Sequence, residues 1–377
     1  MNTQHLSSYA LEKALMEKLR EILGGVPWLK EWSVERNPAE LERVYDILAS
    51  VGLPNGKRVE WWVECKAEPR PSKFPYWVIP QENGPTGRRT TRVPTLGAPY
   101  ITPNMARVCQ DHHWDWFDLA GNCYLSAPEG IHLERSGNES TFARPRPTAN
   151  LGTAEASRVI RALLIPENAG MRWTQREMEN HFGGRIPKVP EPSLALVNKV
   201  VQHLREEAFI ESAPEGGFTL KKPVALLEAW REAYRFDRHQ RRSFFTLLSG
   251  SRRDEGLRKF DAVSGSRGVY ASFSAAEHQA PHVRQPKKWF FIAEDLEDEF
   301  ARCVEAKQVD SGENLVVLIP DDDGVFYGQE SAGEPLASTN PVQTYVDLLN
   351  SGSRGQEAAE AILEQNLKPA WKLRGLE

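Results

Sequence analysis

Val59-Glu60-Trp61-Trp62-Val63-Glu64-Cys65-Lys66 is a short apolar run that ends in Glu64-x-Lys66. Side chains two apart in an extended segment share a face, so this carboxylate and ammonium project side by side. Upstream, Arg43-Val44-Tyr45-Asp46-Ile47-Leu48 is a second short run with a single acid, and Gly52-Leu53-Pro54-Asn55-Gly56-Lys57 supplies turn residues between the two. The pair predicts a hairpin that carries Asp46 to Glu64 and Lys66. Asp46 and Glu64 would there bind a divalent cation such as Mg2+ or Mn2+, with Lys66 positioning a water. The competing arrangement has Lys66 pairing with both acids, because buried unpaired charge is costly.

Toward the N-terminus, Leu11, Leu15, Leu19 and Ile22 recur at helical spacing, and Gly24-Gly25 ends the run. Glu12, Glu17 and Glu21 then fall on the solvated face, a helix-borne metal ligand being the alternative. Downstream, Pro69 and Pro71 end strand pairing, and Gly84 to Arg92 reads as a basic surface loop carrying Arg88, Arg89 and Arg92. A strand from Val93, a helix over Asn104 to Asp111, and a strand over Trp114 to Leu125 that breaks at Gly121-Asn122 complete an α/β layer. Asn122 is expected to take a positive φ, and Asp118 to cap neighbouring amides. Cys109, His112, His113 and Cys123 have no C-x2-C spacing, so the cysteines read as small apolar residues rather than zinc ligands.

The whole chain has 377 residues, a net charge of −5 and a pI near 6.1, which suits two or three domains and excludes a globally basic surface. No apolar run reaches the ~18 residues of a membrane span, and the polar start Met1-Asn2-Thr3-Gln4-His5 lacks the order of a signal peptide. Four scattered cysteines make no disulfide framework, so a cytoplasmic setting is expected, with no membrane partner.

After the proline-stiffened linker at 144–152, the pattern changes. A helix begins near Thr153 with Ala156, Val159, Ile160, Leu163 and Leu164 inward. Thr174 and Glu177 form a capping box that opens a second helix, and Ser193 caps a third. Leu196, Val200 and Leu204 of that third helix face inward, which leaves Asn198, Lys199, Gln202, His203 and Arg205 mostly outward. Phe209-Ile210-Glu211 and Gly217-Phe218-Thr219-Leu220 flank Pro214-Glu215-Gly216 as a two-stranded wing. Residues 153–223 thus read as a winged-helix domain whose third helix, with Ser193 at its start, enters the major groove of double-stranded DNA. A protein-docking role is the alternative, since ten Lys/Arg against nine Glu leave that segment only +1.

Phosphate-contacting charge is expected from residues 224–260. There a helix with Leu226, Leu227, Trp230 and Tyr234 on its apolar face precedes a stretch, 235–259, with eight basic and three acidic side chains, including Arg241 and Arg242. Residues 261–377 read as a C-terminal α/β domain, with strands at 268–272, 288–292 and 314–319 and helices at 296–306, 341–349 and 356–365. Asp321-Asp322-Asp323-Gly324 lacks the rest of a calcium loop and reads as a charged turn.

The ordered blocks Tyr45-Asp46-Ile47-Leu48-Ala49, Val63-Glu64-Cys65-Lys66, Ala98 to Cys109 and Trp116 to Leu125 resemble the AbiEi-like antitoxins and transcriptional regulators of type IV toxin–antitoxin systems. The likeness extends to Leu226-Leu227…Trp230…Tyr234 and to Val342 to Leu348. It implies an α/β multidomain chain, with a restriction-endonuclease-like α/β core over 1–143 and a winged helix after it. It also implies a regulator that represses its own operon, a nucleotidyltransferase-type toxin encoded nearby, and a homodimer on a palindrome. The Asp46, Glu64 and Lys66 set keeps a second reading open, a metal-dependent DNA endonuclease delivered to its target by the winged helix.

Overall fold

The sheet that holds Asp46 and Glu64 grows strand by strand in chain order. In the computed structural model, residues 7–36, 45–53, 56–76, 90–128, 130–140, 148–182, 191–281, 285–331, 333–351 and 354–376 are described. The chain divides into two compact units, Met1–Arg146 and Pro147–Glu377. Both mix helices with sheets.

The first unit contains α1 (Ser8–Gly24), β1 (Glu31–Arg36), β2 (Ile47–Gly52), β3 (Arg58–Cys65), β4 (Thr90–Ala98), α2 (Pro103–Asp111), β5 (Asp115–Asp118), β6 (Cys123–Ala127) and β7 (Ile131–Arg135). The seven strands lie side by side in sequence order. Pairing is parallel from β3 to β4 to β5 and antiparallel elsewhere. The leucine stripe of α1 buries against Ile47, Ala49, Val51, Val59, Trp61 and Val63, the alternate residues of β2 and β3. A second apolar cluster joins Met105, Val108 and Cys109 of α2 to Leu96, Trp116 and Phe74. Cys109 and Cys123 sit in these separate clusters and are both buried, as small apolar residues should be.

Several local expectations need correction. β1 has no apolar alternation to announce it, since only Val34 is buried and the strand pairs with β2 alone. Strand β2 starts one residue after Asp46 and runs to Gly52, taking in part of the expected turn. Arg92 lies within β4, where it stacks over Trp62 at 4.6 Å and faces Glu60 at 3.5 Å, while Arg88 and Arg89 fall outside the described residues. Glu12 is buried rather than solvated, and its carboxylate takes the Arg36 guanidinium. Gly121, not Asn122, has the positive φ, at 91°.

In the second unit, α3 (Ala154–Leu164), β8 (Arg172–Trp173), α4 (Gln175–Asn180), α5 (Leu194–Glu206), β9 (Ile210–Ser212) and β10 (Phe218–Leu220) come first. Strands β8, β10 and β9 form a small antiparallel sheet. Next come α6 (Pro223–Ala233), β11 (Gln240–Thr246), α7 (Gly250–Ser264), β12 (Gly268–Tyr270), α8 (Ser272–Gln279) and β13 (Lys288–Ile292). The chain then adds α9 (Glu297–Cys303), β14 (Ala306–Gln308), β15 (Leu315–Ile319), α10 (Pro341–Leu349), α11 (Gly355–Ile362) and α12 (Lys368–Leu373). The larger sheet runs β12-β13-β15-β11-β14. The arginine-rich stretch expected to connect domains therefore supplies β11, an interior strand, and α7.

Helix α3 decides how this unit holds together. Every residue from Ala156 to Leu164 is buried, Arg158 at 4% and Arg161 at 2% exposure included. One continuous apolar core joins α3 and α5 to α6, α10, α11 and the β13–β15 face. The Trp371 indole of α12 donates to the Leu164 carbonyl at 2.8 Å, and the Trp230 indole of α6 donates to Ser157 at 3.1 Å. A helix buried all round has no solvated face on which to place its charges. Arg158 and Arg161, two of the ten cations counted along 153–223, contribute nothing to an outer basic patch.

Leu15 is fully buried between α1 and the first sheet. Leu15→Ala is predicted to cost about 2–5 kcal/mol in the unfolding of the N-terminal unit, measured by urea titration; a change under ~0.5 kcal/mol would contradict the packing described.

Candidate nucleic-acid interface

Helix α5 has two sharply different faces. Val197, Val200, Val201 and Leu204 are buried, whereas Asn198, Lys199, Gln202 and Arg205 are exposed at helical spacing. Leu196, expected inward, is only partly buried. Ser193 uses its hydroxyl to accept the Leu196 N–H at 3.3 Å, so its work is capping. Glu179 of α4 accepts the Leu194 N–H at 3.1 Å and closes the same first turn. His203 is half-buried, and burial lowers its pKa against the opposing pull of Glu207 and Glu206. Gln202 donates to Glu206 at 3.2 Å, and Asn198 accepts from Gln175 of α4 at 3.1 Å.

Two further cations flank this face. Arg172 on β8 and Arg176 on α4 are exposed, and Arg172 donates to the Gly216 carbonyl at 3.0 Å, at the turn joining β9 to β10. Arg172, Arg176, Trp173, Thr174 and His181 line one shallow cavity of about 580 Å³. That β9–β10 turn carries Glu215, and Glu211 on β9 pairs with Lys221 at 3.0 Å. The sequence reading missed Arg172 because β8 is only two residues long.

Arg241 and Arg242 are placed differently from α5. Arg241 is exposed on β11, lies over Trp289 at 5.2 Å and faces Glu313 at 3.3 Å, and Arg242 faces Glu297 at 3.6 Å. Arg235 pairs with Asp237 at 2.6 Å and Arg238 with Asp321 at 3.9 Å. Glu313, Glu297 and Asp321, distant in sequence, thus offset part of the positive excess counted along 235–259, and exposed pairs of this kind contribute little stability each.

At the N-terminal acid cluster, the β2–β3 register ends with Ile47 opposite Val63, so that Asp46, just before β2, and Glu64, on β3, lie at the same end of the hairpin. The hairpin does bring the predicted residues to one strand end. Asp46 is buried and accepts the Cys65 N–H at 2.8 Å, and its own N–H donates to the Val63 carbonyl at 2.8 Å. Lys66 donates to Glu64. Among the described residues no group of three or more His, Cys, Asp or Glu side chains is arranged to hold a metal ion. Asp118 does cap amides, accepting from Asn122 N–H at 2.9 Å and Ile101 N–H at 3.2 Å, while the Asn122 amide bridges Asp118 and the Asn138 carbonyl.

In the core of the second unit, polar and charged side chains from five parts of the chain meet. Arg158 forms a two-pronged pair with Asp322, whose carboxylate also caps the following turn by accepting the Gly324 N–H at 2.9 Å. A Cβ on Gly324 would clash with the Asp322 carboxylate and fall 2.9 Å from Arg158 Cγ, so glycine leaves room for this pair. Arg161 donates to Gln343 at 2.9 Å, and Gln343 in turn donates to Tyr234 and Asp347, each at 2.8 Å. The Tyr234 hydroxyl donates to Asp347 at 2.8 Å and meets His239 Nε2 at 2.7 Å. Since His239 Nδ1 accepts the Asp321 N–H at 3.1 Å, Nε2 carries the proton. Burial lowers His239 to about 4 and raises Asp347 to about 7.

Asp347, usually near 3.8, binds its proton more tightly folded than unfolded, so its contribution to stability is greatest below that value and is lost as pH rises through about 7. The stability advantage of wild type over Asp347→Asn should therefore shrink by about 1.4 kcal/mol per pH unit between roughly pH 4 and 7. Urea unfolding of both proteins across that range checks it, and an advantage that grows with pH contradicts it.

Residues 219–368, which contribute α6, the larger sheet, Tyr234, Gln343 and Asp347, match a family model described as a transcriptional regulator, AbiEi antitoxin, of type IV toxin–antitoxin systems. The match supports kinship with that family across the C-terminal part of the chain. No curated protein and no solved structure matches.

Proposed function

We propose that the protein is a sequence-specific DNA-binding transcriptional regulator of the antitoxin type, and that residues 153–223 are its winged-helix reader. The observation that carries this is the exposed Asn198, Lys199, Gln202 and Arg205 face of α5, set on a helix whose other side is locked into the core. Asparagine, glutamine, lysine and arginine are the side chains that pair with base edges in the major groove. Arg172 and Arg176 flank that helix and suit phosphate. Ser193 and half-buried His203 shape the helix, and Arg241 and Arg242 stand as outlying phosphate contacts that must first leave Glu313 and Glu297.

The match over 219–368 supports regulation as the purpose of DNA binding. A nearby nucleotidyltransferase-type toxin, a homodimer on a palindromic operator and cytoplasmic action belong to the same proposal; among the described residues no helix is long and apolar enough to cross a membrane. Residues 1–143 serve as a restriction-endonuclease-like scaffold in which Asp46, Glu64 and Lys66 hold the β2–β3 end together. The α1 helix packed on a sheet whose β2–β3 hairpin brings Asp46 and Glu64 to one end supports that assignment.

Gel-shift titration with DNA from upstream of the protein's own gene tests the proposal. Wild type should retard that DNA at concentrations that leave scrambled DNA free. Replacing Lys199, Gln202 and Arg205 by alanine should weaken specific binding at least tenfold, each base-reading side chain being worth ~1–3 kcal/mol, with an unchanged circular dichroism spectrum. Wild-type affinity in the triple variant would overturn it.

A further inference from the structure

Gln175 and Asn198 belong to different helices, yet their side-chain amides are joined. Gln175 donates its Nε2–H to Asn198 Oδ1 at 3.1 Å in a setting open to solvent. Both ends of that bond start from fixed backbone. Gln175 follows the Thr174 cap, where Thr174 N–H donates to Glu177 at 2.7 Å and Glu177 N–H donates back to Thr174 at 3.1 Å. Asn198 lies in the second turn of α5, whose start is held by Ser193 and Glu179. An amide open to solvent otherwise turns over freely, and a bond that fixes its orientation lowers the entropy cost of binding a partner there.

Resting on the DNA-binding reading above, we infer that Gln175 presets the Asn198 amide to read an adenine in the major groove. Adenine offers an N7 acceptor beside an N6 donor, the pattern that an asparagine amide satisfies with Nδ2 and Oδ1. Oδ1 accepts two bonds, so the one from Gln175 leaves a lone pair for N6–H, and Nδ2 keeps both protons. Guanine presents acceptors at both N7 and O6. Whichever way the Asn198 amide is turned, its Oδ1 meets one of those acceptors, so guanine keeps at most one bond, while the Gln175 bond holds the amide in the one orientation that gives adenine two. Asn198 is thus the specificity residue and Gln175 a positioning residue acting through it.

Selection of binding sites from randomised duplex DNA, using full-length wild type, Asn198→Ala, Gln175→Ala and the double variant, tests this. Wild type should select a defined site, and Asn198→Ala should cut the adenine-over-guanine preference at one position about tenfold. Gln175→Ala should lower the preference at that same position by a smaller factor, and the double variant should be no worse than Asn198→Ala, with all four melting alike. A Gln175→Ala preference equal to wild type, or a loss at a different position, overturns the inference while leaving DNA binding standing. Failure of wild type to select any site overturns both.

Discussion

Arg161 is a cation with no route to water, and its requirements order the C-terminal unit. Only 2% of its surface is exposed, and a guanidinium keeps its proton in proteins. A buried charge must be met by opposite charge and by hydrogen bonds, or the fold loses several kcal/mol. Gln343 accepts from it, Trp230 lies 5.4 Å beneath it, and Asp347 and Asp322 supply negative potential. Those partners come from α6, α10 and the turn after β15, while the arginine sits on α3. The helix that begins the proposed DNA reader is thereby fastened to the elements of the family match. Nη1 of Arg161 and Oδ2 of Asp347 have no partner among the described residues, so the network stops short of full satisfaction, which suits a core whose charge state responds to pH.

The sequence made some of this plain and concealed the rest for identifiable reasons. Helices α1, α2 and α5 follow from apolar spacing and capping residues, and the β2–β3 hairpin from Gly52 to Lys57, because these signals act within a few residues. The outward set Asn198, Lys199, Gln202 and Arg205 was legible for the same reason. Arg158 and Arg161 were only two cations in a charge count, because nothing local separates a buried arginine from a wet one, and only partners more than 160 residues away do so. The same long range hid the role of Asp322, whose turn looked merely charged, and the acids that answer Arg241 and Arg242.

At the other end of the chain, the β2–β3 hairpin brings Asp46 to the start of β2 and Glu64 and Lys66 to the end of β3, where the Cys65 N–H donates to Asp46 and the Lys66 ammonium to Glu64. Asp115 was not singled out at all, although it accepts from the Trp61 indole at 2.6 Å and from Ser126 N–H at 2.7 Å and ties β3 to the far side of the sheet. Burial raises its carboxyl to about 6, and the two donors hold that rise in check. Acids in this unit are spent on backbone and indole N–H groups, which is how a buried carboxylate becomes tolerable.

The account therefore places recognition on α5 and treats the rest of the C-terminal unit as the body that aims it. Methylation interference on the protein's own upstream DNA addresses that placement most directly, because modified guanine N7 lies in the major groove and modified adenine N3 in the minor. The account predicts that binding is blocked by N7 methylation within the site. Interference confined to N3, or none at either atom, would contradict it.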